Sequence, residues 1–480
     1  MNVSTNRSIL TVTGEDGPSN LASSTTDALP SPIQCLPHEM LSKIFILSIP
    51  AHDNFQKVWR YRTNEFKRAI MLPMNVCRYW RNIALSTPGL WSSICLRLLE
   101  STVDADVNLT QTWLSRSGQL PISIQIDGRR YGSHDPHAIH PVLDVIIEHA
   151  ERWQHVDFDM SYAMLSHTRT AKNRLPHLHT LIISDLYFEP EWAMPITIFE
   201  AAPRLSRLTM RFNVSFHSLE VPWTRITTLA CKGPTLDEFH EVLQGAPNIV
   251  ECNLYIGRSD RELDPARPMI QHEHLCIFNI VAYNESGSLL DRLSLPALQS
   301  FEYDNDTGRW PQREFISLIS RSGCSVEKLV LRSQRLWLDD DLIECIRYMP
   351  SLVHLELDPL SSAAITDKTL SRLTIPTSIP RDAQVSYLVP KLEFIRLSPR
   401  NQFCGGALVG MVESRRCFSN TSRNNDIRHV YYSPLKTLQL HIDESSGGLS
   451  SSTLARLRNC GLDIYGVQFD DDGELCCVPF

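Results

Sequence analysis

Nowhere in the 480 residues do eighteen apolar residues run together, so no segment is greasy and long enough to cross a bilayer as a helix. The opening stretch, MNVSTNRSILTVTG, lacks a basic region followed by an apolar one, which argues against a secretory leader. The thirteen cysteines are an odd number without paired spacings. They suggest neither a disulfide framework nor a zinc module, and point to reduced thiols in cytosol or nucleus. Charge of one sign is scarce too. Lys and Arg number 46 against 54 Asp and Glu, and a net charge of −8 gives no footprint for nucleic acid or an anionic membrane. GxSxG, phosphate-loop and HExxH patterns are missing, so only a triad scattered along the chain would supply catalysis. The expectation is a non-enzyme without cofactor or metal.

What is present is apolar material, 42% of the chain, enough for a large core. Residues 1–32 are rich in Ser, Thr, Asn and Pro and read as a disordered tail, unable to offset chain entropy by burial. The stretch LPHEMLSKIFILSIP (36–50) then reads as a helix. Pro37 suits its first turn, and Leu36, Met40, Leu41, Ile44, Phe45 and Leu47 keep helical spacing. Ile46 widens the stripe to most of the circumference, so more than one side requires cover. MNVCRYWRNIALSTPGLW (74–91) reads as a second helix with Val76, Cys77, Trp80, Ile83 and Ala84 on one face, ended at Thr87 and Pro88. The polar spacer between them, 51–73, reads as an extra helix or long loop.

From Trp91 onward a pattern recurs, apolar-x-x-apolar-x-apolar, whose last two apolar residues share a face of a short strand. It occurs thirteen times, from WSSICL (91–96) to LKTLQL (435–440). From Trp153 the intervals between starts are 25, 27, 21, 23, 26, 23, 28, 26, 40 and 43 residues. All but the last two fit the roughly 20 to 29 residue period of leucine-rich repeats. Helical stretches such as 236–248, 313–323 and 340–351 lie between strands and stop at Gly or Pro. Such units cover their apolar faces only by stacking. The asparagine expected three residues after the motif is found only at Asn213, which makes the solenoid irregular. The fold class is thus α/β: a helical module at 33–90, then an irregular strand-helix solenoid with a parallel curved sheet at 91–466, and a C-terminal tail at 467–480.

Leu36 and Pro37 opening an apolar helix, followed by VCRYWRNIA and TPGLW, resemble the F-box, a short helical module that docks on a Skp-family adaptor. TWLSRSGQLPISIQI (112–126) and HPVLDVIIEHAERWQHVDF (140–158) look like segments that follow the F-box in the expanded families of mushroom-forming fungi. The long polar spacer departs from that pattern. The resemblance implies a substrate receptor of a Skp, cullin and F-box ubiquitin ligase, monomeric within a hetero-complex. By it, Leu36, Pro37, Met40, Leu41, Ile44, Phe45, Val76, Cys77 and Trp80 are the adaptor-binding positions, and the repeats hold an unidentified target protein. A non-catalytic repeat scaffold, its first helices merely capping the solenoid, is the alternative.

Side chains alternating with the buried ones would face such a target: Arg207, Thr209, Glu251, Asn253, Tyr255, Glu302, Lys328, His354, Glu356, Arg396 and Gln439. Their mixed signs suit a protein partner better than a polyanion. His134, His137 and His140 read as a polar loop broken by Pro136, and QHEHL (271–275) is a weaker metal motif still. The interleaved basic and aromatic residues of the spacer read as a solvated helix face. The final Cys477, Val478, Pro479 and Phe480 match a prenylation box only formally, since acidic residues precede them and would repel anionic lipid.

Overall fold

The computed structural model describes residues 33, 36–49, 62–129, 131–132, 135, 137–184, 194–211, 214, 216–257, 263–283, 286–305, 310–333, 339–359, 365–375, 388–397, 403–421, 433–441, 451–460, 463–469 and 475–479. Three helices come first: α1 (His38–Leu47), α2 (Arg62–Val76) and α3 (Arg78–Leu85). A single sheet of fifteen strands follows, ordered in space as in sequence from Ser93–Arg97 to Leu475–Pro479. Every neighbouring pair in it is parallel except the last.

All thirteen pattern segments are strands of this sheet. The signature positions explain why. Each of them except Pro121 is buried, so alternate residues feed one apolar cluster that runs from Leu41 to Leu457. At the exception, Ile122 is buried instead, and the pairing with Trp153–Asp159 shifts register between Ile122 and Ser123. Helices supply the other side of the cluster. In Leu236–Gly245 the buried residues are Leu236, Phe239, His240, Val242 and Leu243, a helical stripe. Thr235 opens that helix with a capping box: its hydroxyl accepts from Glu238 N, and the Glu238 carboxylate accepts from Thr235 N. Gly323, at φ +59°, closes Gln312–Ser322 in the left-handed conformation that suits glycine.

Repeats are also cross-linked by buried or half-buried arginines that donate to main-chain carbonyls one repeat away. Arg152 reaches Leu120 O at 2.9 Å, and Arg321 reaches Leu290 O and Leu293 O at 2.7–2.9 Å. Arg415, almost wholly buried, donates to Leu373 O, Leu388 O and Val389 O. Leu290 and Leu373 are the last residues of their helices, so two of these carbonyls are ones that helix ends leave over.

Two parts of the sequence reading are corrected. Helix α2 runs into the segment read as the start of the second helix and contains Pro73, and the break falls at Cys77. Cys77 is extended, and its Sγ accepts from Trp80 N at 3.4 Å, which makes it the N-cap of α3. Leu475–Pro479, in the segment read as a tail, is a strand antiparallel to Asp463–Phe469. A small parallel pair, Ile270–Gln271 with Leu293–Ser294, also carried no pattern. The apolar cluster has no break near residue 90.

Candidate functional site

Helix α1 is divided lengthwise. Leu41 and Phe45 are 0% and 2% exposed, and the Phe45 ring lies 5.0 Å from Trp80 of α3. Met40, Ile44 and Leu47, at i, i+4 and i+7, are exposed, Leu47 by 83%. Of sixteen large apolar residues exposed among the described residues, ten lie between Ile33 and Leu85. That places most of the bare apolar surface at one end of the molecule, where a partner would be sought.

Hydrogen bonds hold this end in shape. Thr87 Oγ1 donates to Ile83 O at 2.7 Å, so Ser42 Oγ, 2.9 Å away, is the donor that ties α1 to the turn before Pro88. Gly89 leaves room for Ile46, because a Cβ there would come within 2.9 Å of Ile46 Cδ1. Arg81 Nε donates to Met74 O at 2.8 Å and fixes α3 on α2. Trp91, buried, donates its indole N–H to Ala84 O at 3.0 Å, and Trp153 makes the same seven-residue link to Ile146 O at 3.1 Å.

The nine residues assigned to an adaptor therefore separate. Pro37, Met40, Ile44 and Val76 are exposed, Leu36, Cys77 and Trp80 are half-buried, and Leu41 and Phe45 face inward. Val76 does not pack inside the helical end as its helical spacing suggested; it is 58% exposed at the end of α2. Leu72 and Tyr79, exposed on α2 and α3, belong to the same end and were missed. Their signal, an apolar residue on a polar face, is weak in a sequence.

The sheet's open face holds the second group. Cross-strand register puts Asn253, Asn279, Glu302, Val330, Glu356, Arg396 and Gln439 in one row. Arg332 donates to Glu302 and lies 3.8 Å from Glu356. Arg396 donates to Glu356 at 2.9 Å and to Gln439 at 2.9 Å. His354 bonds Glu356 at 2.6 Å and stacks on Phe394 with centroids 3.9 Å apart. Burial alone would raise the Glu356 carboxyl, but the His354 bond and the charges of Arg396 and Arg332 outweigh it and hold the pKa at about 2. Glu251, Asn253 and Tyr255 share the strand Glu251–Ile256, while Arg207 stands two strands away in register with Glu251. Arg332 was missed because it lies one pleat beyond the repeated pattern, and Asn279 although it sits inside one.

A third cluster was not foreseen. Arg129 bonds Asp127 at 2.9–3.0 Å and Asp159 at 3.0 Å, and Arg97 lies 3.3 Å from Asp127. Asp157, buried, has the Arg211 guanidinium 3.9 Å away, and burial pushes its carboxyl up to about 7 against that attraction. Ile182, its register partner on the next strand, and Thr209 on the strand beyond are buried as well.

No metal-binding group of three or more His, Cys, Asp or Glu exists among the described residues. His140 is buried, its Nδ1 accepts from Val142 N at 3.2 Å, and its Nε2 lies 3.9 Å from Asp106. His134 and the tip of the prenylation box, Phe480, lie outside the described residues, as does Asn213. No described helix is long and apolar enough to cross a membrane.

No family model and no curated protein matches this chain. Several solved structures are similar to it, one of them over most of its length. That one is a chain in the crystal structure of the Rad7 and Elc1 complex in yeast, 11% identical, with 86% of this chain and 92% of that chain covered at a TM-score of 0.33. At that score the likeness assigns neither fold nor partner.

Proposed function

We propose that this chain is the substrate receptor of a Skp, cullin and F-box ubiquitin ligase, with α1 to α3 docking a Skp-family adaptor and the sheet's open face holding a target protein. The observation that carries the reading is the uncovered apolar side of α1, formed by Met40, Ile44 and Leu47. A helix with that much exposed apolar area gains when a second protein covers it. The order of Leu36-Pro37, VCRYWRNIA and TPGLW, with the downstream likeness to fungal F-box chains, supports the same partner. The chain positions a target and performs no bond chemistry itself, and it works in the cytosol or nucleus. The capping alternative accounts for the inner side of α1, where Leu41 and Phe45 meet the core, and leaves the outer side unexplained.

Capture of a purified Skp-family adaptor by the full chain tests the proposal. The wild-type chain retains the adaptor, and Ile44→Asp with Leu47→Asp abolishes retention while the unfolding transition is kept. Failure of the wild-type chain to retain any such adaptor would overturn it.

A further inference from the structure

On the open face, a run of hydrogen bonds between Glu251 and Asn279 has its direction fixed from one end. The Glu251 carboxylate only accepts, so Asn253, 3.2 Å away, presents its NH2 to it. Asn253 Oδ1 then accepts from Asn279 Nδ2 at 2.7 Å. Turning either amide over would set two acceptors against each other, so the network itself makes the orientation. The Asn279 carbonyl oxygen accepts no hydrogen bond among the described residues.

Glu302 comes next in register after Asn279. One of its oxygens is taken by Arg332, and the other accepts no hydrogen bond among the described residues. The second oxygen of Glu251 likewise accepts no hydrogen bond among the described residues. Three acceptors on neighbouring strands thus accept no hydrogen bond from the described residues. Tyr255 stands two residues beyond Asn253 and four beyond Glu251 on the same face of that strand, in register with the small Val281. Burial, then the fields of Glu302 and Asp304, hold its phenol above the ordinary value. The ring already has one cation near it, Lys232 Nζ at 5.9 Å from the centroid.

We propose that this patch takes an arginine side chain from the target protein, the guanidinium donating to Glu251, Asn279 and Glu302 while its plane lies against Tyr255. The fit is chemical. A guanidinium carries five donors and no acceptor, it is charged at every working pH, and it stacks on aromatic rings. A carboxylate or phosphate would meet the same acceptors with repulsion. The inference rests on the reading of the open face as a target surface and adds what the target must present.

The test uses the full chain and short Gly-Ser peptides carrying a central arginine, citrulline or glutamate, with affinity read by fluorescence anisotropy at two salt concentrations. The arginine peptide binds at least roughly tenfold tighter than the citrulline peptide, which has the same shape without the charge. Its binding weakens with salt, and Glu251→Gln with Tyr255→Leu removes the preference while the thermal transition of the chain is unchanged. Equal binding of the three peptides, binding of none, or an unaltered preference in the double variant overturns the assignment. Adaptor capture is measured separately on the same samples, so loss of the adaptor reading and loss of the arginine reading are seen as different results.

Discussion

Arg415 shows how much of the stability rests on single polar contacts. It is buried and donates to three carbonyls drawn from two other segments of the chain. Arg415→Met should therefore cost roughly 2–4 kcal/mol, since buried carbonyls without donors are expensive, and a urea melt reads it as a lower midpoint. Two carboxylates set opposite pH dependences. Glu356 titrates at about 2 in the fold, below its ordinary 4.5, so its contribution is complete above that ordinary value and is lost as pH falls through about 2. Glu356→Gln flattens the acid limb of a stability-against-pH curve. Asp157 is the reverse case. Its folded value of about 7 lies above 3.8, so it costs stability increasingly as pH rises between those values, and the cost is constant above about 7. Asp157→Asn should raise the melting temperature at pH 8 and leave it nearly unchanged at pH 3. Glu356 could be singled out from sequence only as a face residue, and Arg415 and Asp157 not at all, because Arg332 and Arg396, the carbonyls of Leu373, Leu388 and Val389, and Arg211 all lie more than twenty residues from the side chain they meet.

At the level of single elements, α1 and the strands were legible and α2 was not. The thirteen strand segments announce themselves because burial on one side forces an apolar residue at every second position, and the buried signature residues report that constraint directly. The fourteenth strand, Asp463–Phe469, escapes because Gly461 and Gly466 occupy the first and last signature positions. Glycine leaves no apolar mark in the sequence. Helix α2 hides for a different reason, since a proline at its twelfth position reads as a break. The division of α1 gives a direct comparison. Leu41→Ala, in the core, should lower stability by about 2–5 kcal/mol, whereas Leu47→Ala on the bare side should change it by less than about 0.5 kcal/mol. Chemical denaturation of the two variants checks the difference, and only the second is a clean probe of partner binding.

For the whole molecule, the unbroken cluster from Leu41 to Leu457 ties the helical end to the sheet. Trp91 is held by α3 through Ala84 O, and its ring meets Trp113 edge-on at 5.8 Å. A chain begun at residue 91 would bare Trp91 and Leu90's neighbours on the first strand, and loses cooperative unfolding or solubility. Circular dichroism melts and size-exclusion chromatography of that truncated chain check this, and point substitutions on the outer side of α1 separate binding from folding more cleanly. Continuity also means that α1 and the strands carrying the row from Asn253 to Gln439 pack, by their inner sides, on one core. Whatever each of them holds is held at a set distance from the other.

The order of the strands has a further consequence, for heredity. Because each strand of the large sheet lies beside that sheet's previous and next strands in the gene's own order, a duplicated or deleted stretch of one period alters the sheet's width and leaves the sheet's remaining neighbours in place. A lineage built on such a plan can try out longer or shorter faces by copying errors alone, where a barrel or a sandwich would be broken by the same accident.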